Sequence, residues 1–117
     1  MDRKTIIDFQ LDILKIFEKY HKNIDKYVQD IKILVKKHDP NAKIILFGSY
    51  VKGLMRKDSD IDILIITDLA KEVDARVRLR MEIAEEIGDL TPFETHIITQ
   101  DEYENWYKKF IDKYIEI

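Results

Sequence analysis

The chain predicts an α/β protein in which a small mixed sheet is covered by helices. Three observations carry that expectation. Apolar, β-branched runs at Lys43–Phe47, Asp60–Thr67 and Pro92–Thr99 read as strands, helix-period segments separate or flank them, and a long helical pattern fills residues 3–38. At 117 residues the chain has room for one domain. Within it the helical region spans 3–38, the core 42–99 and a C-terminal helix 100–116.

Ile13, Phe17, Tyr20, Ile24, Tyr27, Val28, Ile31, Leu34 and Val35 follow helical spacing, as one helix or as two joined near His21-Lys22-Asn23. Asn23 can cap a second helix, and Asp39-Pro40-Asn41 stops it. The first part is apolar on two sides. Ile6, Phe9, Ile13 and Phe17 form one stripe, and Ile7, Leu11 and Leu14 another. Such a helix is either clamped between the sheet and a second helix or forms a protein interface, with self-association or a partner as the occupant.

After the first strand, Ser49–Leu54 is expected as a short helix and Met55–Ser59 as a polar loop. Lys71–Ile87 forms a helix with Val73, Val77, Met81, Ala84 and Ile87 on one face, ending at Gly88. Glu72/Arg76 and Arg78/Glu82 stand at i,i+4 spacing on its outer side. Thr99-Gln100-Asp101-Glu102 is a capping box. The helix it opens carries Tyr103, Trp106, Tyr107, Phe110, Ile111, Tyr114 and Ile115 as its buried stripe.

Composition narrows the function. With no cysteine, disulfides and thiolate metal sites are excluded. No segment approaches a membrane span or a signal peptide, so the expected location is the cytoplasm. A net charge of −3 argues against nucleic acid as a partner, since phosphate neutralisation needs a basic balance.

The chemistry concentrates in Gly48–Ile65, GSYVKGLMRKDSDIDILI. Asp60 and Asp62 stand two apart on the second strand, so their side chains share a face with backbones roughly 6.6 Å apart. Two neighbouring carboxylates need a cation between them, and hard divalent ions such as Mg²⁺ prefer that oxygen-rich setting. Gly48 lets an anion approach the backbone, Ser49 adds a hydroxyl, and a helix starting there would offer free N–H groups. Lys52, inside the same turn, can neutralise phosphate charge. An anion cradle facing a two-carboxylate site suits a nucleoside triphosphate with its metal. Glu94 lies on the third strand with His96 on the same face. His96, His21 and His38 are expected as ordinary surface or partly exposed residues.

Gly48-Ser49 followed, ten residues on, by Asp60-x-Asp62 resembles the signature of the DNA polymerase beta-like nucleotidyltransferase superfamily. The chain is similar to its minimal nucleotidyltransferase branch, closely so over Lys43–Ile66 and more loosely from Lys71 onward. The resemblance implies a nucleotidyltransferase fold in which Asp60, Asp62 and Glu94 bind metal and are catalytic, with two Mg²⁺ ions, while Gly48, Ser49 and Lys52 bind the nucleotide. Where this chain has Glu94 the family more often has aspartate. The resemblance further implies transfer of AMP from ATP onto a hydroxyl of a partner HEPN-domain toxin, neutralising it as an antitoxin. The alternatives are an antitoxin that acts by binding alone, and nucleotidyl transfer to a small molecule.

Overall fold

The computed structural model describes residues 5–117; the part of the expected helical region at residues 3 and 4 lies outside them. Two helices come first, α1 (Ile6–His21) and α2 (Ile24–His38). Strands β1 (Lys43–Phe47) and β2 (Ile61–Ile66) follow, then α3 (Val73–Ile87), β3 (Phe93–Ile98), the short α4 (Gln100–Asn105) and β4 (Tyr114–Glu116). The sheet runs β3-β2-β1-β4, with β2 parallel to β3 and the other two pairings antiparallel. It is the small mixed sheet with helices that the sequence predicts. Among the described residues no helix is long and apolar enough to cross a membrane.

The helical pattern of 3–38 resolves into two helices. Asn23 starts α2 without a side-chain cap, while its side chain donates to the Lys19 carbonyl. Thr5 and Asp8 form a capping box at the start of α1. At the far end of α2, Asp39 accepts from the Asn41 N–H and, at 2.6 Å, from the Thr67 hydroxyl, joining the helix end to the exit of β2.

Because β2 is central and nearly all apolar, it is buried on both sides. Ile61, Ile63 and Ile65 pack with Val28, Ile31 and Val35 of α2 and Leu79, Ile83 and Ile87 of α3. Leu64 and Ile66 face the opposite side, where Ile45, Ile98, Tyr103, Tyr107 and Ile111 meet them. Each such aliphatic side chain contributes about 1.5–3 kcal/mol through burial.

Four expectations change. Ser49–Leu54 is a run of turns: the N–H groups of Lys52, Gly53 and Leu54 reach the carbonyls of Gly48, Tyr50 and Ser49. Gly48 and Gly53 have φ of 83° and 71°, left-handed values that break helical continuity at both ends. The C-terminal helix stops at Asn105, and Tyr114–Glu116 instead adds β4 to the free edge of β1. An unsatisfied strand edge, with its row of unpaired N–H and C=O groups, is a stronger lure for these three residues than continued helix in water. Of the expected aromatic stripe only Tyr103, Tyr107 and Ile111 pack against the sheet, and Trp106, Phe110, Tyr114 and Ile115 are exposed. On α3 the buried residues are Leu79, Ile83 and Ile87, with Val73, Val77 and Met81 exposed. That rotation gives Arg76 to Glu102, at 2.7 Å, and Glu82 to His38, at 2.6 Å, in place of the i,i+4 pairs.

Helix α1 is not clamped. Its C-terminal end is anchored to the domain, where the buried Tyr20 packs against the rings of Tyr27 and Phe93 and donates a 2.6 Å hydrogen bond to the Ile87 carbonyl. Gly88 follows with φ 109°, and a Cβ there would stand 2.5 Å from the Tyr20 hydroxyl. Tyr20→Phe leaves that carbonyl without its partner, and urea unfolding should show a loss of about 1–3 kcal/mol with the secondary structure intact.

Candidate active site

The parallel pairing of β2 with β3 places Asp62 beside Glu94 and Leu64 beside His96. Alternation along each strand then sends Asp62, Glu94 and His96 to the same face of the sheet. One ligand atom from each lies within 4.8 Å of the others. His96 Nε2 stands 3.7 Å from both Asp62 Oδ1 and Glu94 Oε1. That nitrogen is buried and has no hydrogen-bond partner among the described residues. The ring is held between Phe47 and Tyr107, with the Tyr107 hydroxyl 3.5 Å from Nδ1. A buried, unpartnered nitrogen aimed at two carboxylates fits a cation at their centre.

The turn after β1 closes on the same point. Phe47 is the cross-strand partner of Asp62, so Gly48 arrives directly over its carboxylate. A Cβ on Gly48 would lie 2.3 Å from Asp62 Oδ2. Glycine is required there both by space and by its φ of 83°. Ser49 and Tyr50 follow, half-buried, at the rim. Among the described residues no backbone acceptor takes the N–H groups of Ser49, Tyr50 or Val51. Without a helix, the turn still offers an anion cradle of free donors next to the carboxylates.

The remaining expected residues lie close but apart. Asp60 is exposed, one residue ahead of β2 and outside the three-residue cluster, though its charge reaches Asp62. Lys52 is ion-paired with Asp112 at 3.2 Å, and this holds the Asp112 carboxyl below the usual aspartate range. The cluster also includes His96, which sequence reasoning treated as ordinary. Its shared face with Glu94 was the available signal, and the parallel register that sets it against Asp62 was not.

Burial pushes the Asp62 carboxyl above its ordinary pKa, and the charges of Glu94 and, more weakly, Asp60 add to this while His96 opposes it. A raised pKa means that the folded state binds this proton more tightly than the unfolded chain. The associated stability is present below the ordinary aspartate pKa and is lost as pH rises through the raised one. Asp62→Asn should therefore raise the Tm of metal-free protein at pH 7 and change it little near pH 3. Mn²⁺ should raise the Tm of the native chain and not that of the variant, a difference readable in one thermal-shift series.

Comparison with known proteins gives the family and the fold. A protein-family profile, Nucleotidyltransferase domain, matches residues 24–115. A crystal structure described as a nucleotidyltransferase superposes with a TM-score of 0.66 at 34% identity, covering 76% of this chain and 95% of that one. A second, from Sulfolobus solfataricus, shares the fold at 20% identity and a TM-score of 0.54, over 98% of this chain and 87% of its own. A structure of a toxin-antitoxin with AMP-PNP aligns over 61% of this chain and 55% of its own at 26% identity, with a TM-score of 0.43, too distant a superposition to bear on function. No curated protein matches the chain. With the family profile covering most of its length and a relative matched over nearly its whole chain, this protein belongs to the nucleotidyltransferase domain family.

Proposed function

We propose that this protein transfers AMP from ATP onto a hydroxyl of a partner protein, with Mg²⁺, and that the partner is a HEPN-domain toxin neutralised by the modification. The observation that carries the transferase reading is the convergence of Gly48 and the Asp62–Glu94–His96 cluster on one point. The partner assignment rests on the resemblance of Gly48-Ser49 and Asp60-x-Asp62 to minimal nucleotidyltransferases. The location proposed with it is the cytoplasm.

Asp62 and Glu94 would hold the metal together with Asp60, the exposed carboxylate just ahead of β2. A divalent ion held there would supply charge to polarise the α-phosphate and to stabilise the departing pyrophosphate. Gly48 and Ser49 bind the β- and γ-phosphates through backbone N–H groups and the Ser49 hydroxyl. The acceptor oxygen bonds to the α-phosphorus, the α–β bridging P–O bond breaks, and pyrophosphate leaves with that electron pair. Glu94, exposed at the mouth of the site, is placed to take the acceptor proton. His96, wedged between Phe47 and Tyr107, would add its Nε2 to the ligand set of that metal. Lys52 reaches the triphosphate on leaving Asp112, an exposed pair that costs little to open.

A second reading is an antitoxin that acts by binding alone. The exposed Ile7 and Leu11 on α1 favour it, since they offer an apolar surface remote from any chemistry.

Incubation with α-labelled ATP, Mg²⁺ and the co-purified or genetically neighbouring protein separates the two. Label should appear on the partner and vanish with Asp60→Ala/Asp62→Ala. An unlabelled partner that the variant binds and neutralises equally well would establish binding alone. For the nucleotide site, calorimetric titration with a non-hydrolysable ATP analogue should show Lys52→Ala weakening affinity roughly tenfold, about the effect of one charge-assisted phosphate contact. Asp112→Asn should tighten it a few-fold by freeing Lys52.

A further inference from the structure

Resting on the protein-transfer reading above, we propose that the acceptor hydroxyl arrives on an extended segment of the partner that adds itself to the open edge of β3 beside Glu94. β3 ends the sheet order, with β2 on one side and, among the described residues, no strand on the other.

The hydrogen-bond phase of the β2–β3 pair fixes which groups that edge presents. The Ile61 N–H donates to the Pro92 carbonyl at 2.7 Å, and the Thr67 N–H to the Ile98 carbonyl at 2.9 Å. With the parallel register that sets Ile61 beside Phe93 and Ile66 beside Ile98, the backbone groups of Glu94, His96 and Ile98 turn toward β2. Those of Phe93, Thr95 and Ile97 therefore turn outward. Two of them are taken up locally. The Phe93 N–H donates to Thr91 Oγ1 at 3.1 Å, and Arg80 Nη1 donates to the Thr95 carbonyl at 3.1 Å. The Phe93 carbonyl and the Thr95 N–H have no partner among the described residues. Ile97 and Ile98 are buried, whereas Phe93, Glu94 and Thr95 reach the surface. The open part of the edge is thus centred on Glu94.

An acceptor and a donor two residues apart along one strand are what another backbone fills. A segment bonded to both sets one of its own residues opposite Glu94, with the two backbones roughly 4.8 Å apart. That residue shares the face of Glu94, which is the face of the Asp62–Glu94–His96 cluster. Its neighbours along the segment point to the other face. There a cavity of about 260 Å³ opens between β3 and α3, with Arg80, Ile83, Ala84, Phe93, Glu94 and Thr95 in its lining. The edge therefore fits a segment with a Ser, Thr or Tyr opposite Glu94 and an apolar residue next to it. The backbone supplies the hold, the cavity selects the neighbour, and Glu94 meets the hydroxyl.

The co-purified or genetically neighbouring protein is the probe, read for contact and for transfer. Amide exchange followed by NMR should slow at Thr95 by about tenfold or more when that protein is added without nucleotide. Ala84→Phe fills the cavity, and Thr95→Pro removes the free donor at a position whose N–H plays no part in the ladder. Each should lower kcat/KM for the partner by about tenfold or more, chiefly through KM. Circular dichroism and affinity for a non-hydrolysable ATP analogue should stay as in the native chain. Should Thr95→Pro lose its native circular dichroism, Ala84→Phe and the exchange measurement decide. Folded variants that label the partner as fast as the native chain overturn edge docking and leave the transfer reading standing. So does a Thr95 exchange rate that the bound partner does not change. A native chain that binds the partner and never labels it overturns the transfer reading, and edge delivery of an acceptor falls with it.

Discussion

Placing two carboxylates on one edge of a buried apolar sheet is the constraint on which the rest of the structure depends. Parallel pairing of β2 with β3 sets Asp62 next to Glu94, and the fold pays for that proximity in desolvation and repulsion at Asp62. Ile61, Ile63 and Ile65 on one side of β2, with Leu64 and Ile66 on the other, supply the burial that holds the strand in register. A one-residue slip would turn Asp62 into the α2–α3 core and every one of those aliphatic residues to the wrong face. The apolar run after the acids is therefore what makes their placement tolerable.

The C-terminal segment completes the site from the side opposite α2 and α3. Tyr103, Tyr107 and Ile111 cover the Leu64–Ile66 face, and Tyr107 positions the His96 ring. Further on, Asp112 holds Lys52 and Tyr114–Glu116 pairs with β1, the strand that leads into Gly48. The phosphate-side turn and the carboxylate cluster are thus tied to a common stretch of chain.

At the opposite extreme stands α1, joined to the domain by Tyr20 and by the 3.1 Å contact of His21 with the Ser59 carbonyl. Ser59 immediately precedes Asp60. Whatever covers α1 is therefore mechanically connected to the loop that carries the outermost carboxylate.

The sequence by itself determined the first three strands, the helix stop at Asp39-Pro40, the capping box at Thr99 and the Gly48-Ser49…Asp60-x-Asp62 motif, because each is written in local spacing and residue chemistry. The side of β3 carrying Glu94 and His96 was legible for the same reason, since alternation is a property of the strand alone. Only the tertiary structure decided that His96 joins the carboxylates, since that depends on a register between strands some thirty residues apart. It also decided that Tyr114–Glu116 is a strand, because the lure was the open edge of β1 rather than any local preference. The rotation of α3 onto Leu79, Ile83 and Ile87 followed from the position of the sheet beneath it, and the exposure of Ile6, Ile7 and Leu11 from the way α1 meets the domain at its Tyr20 end.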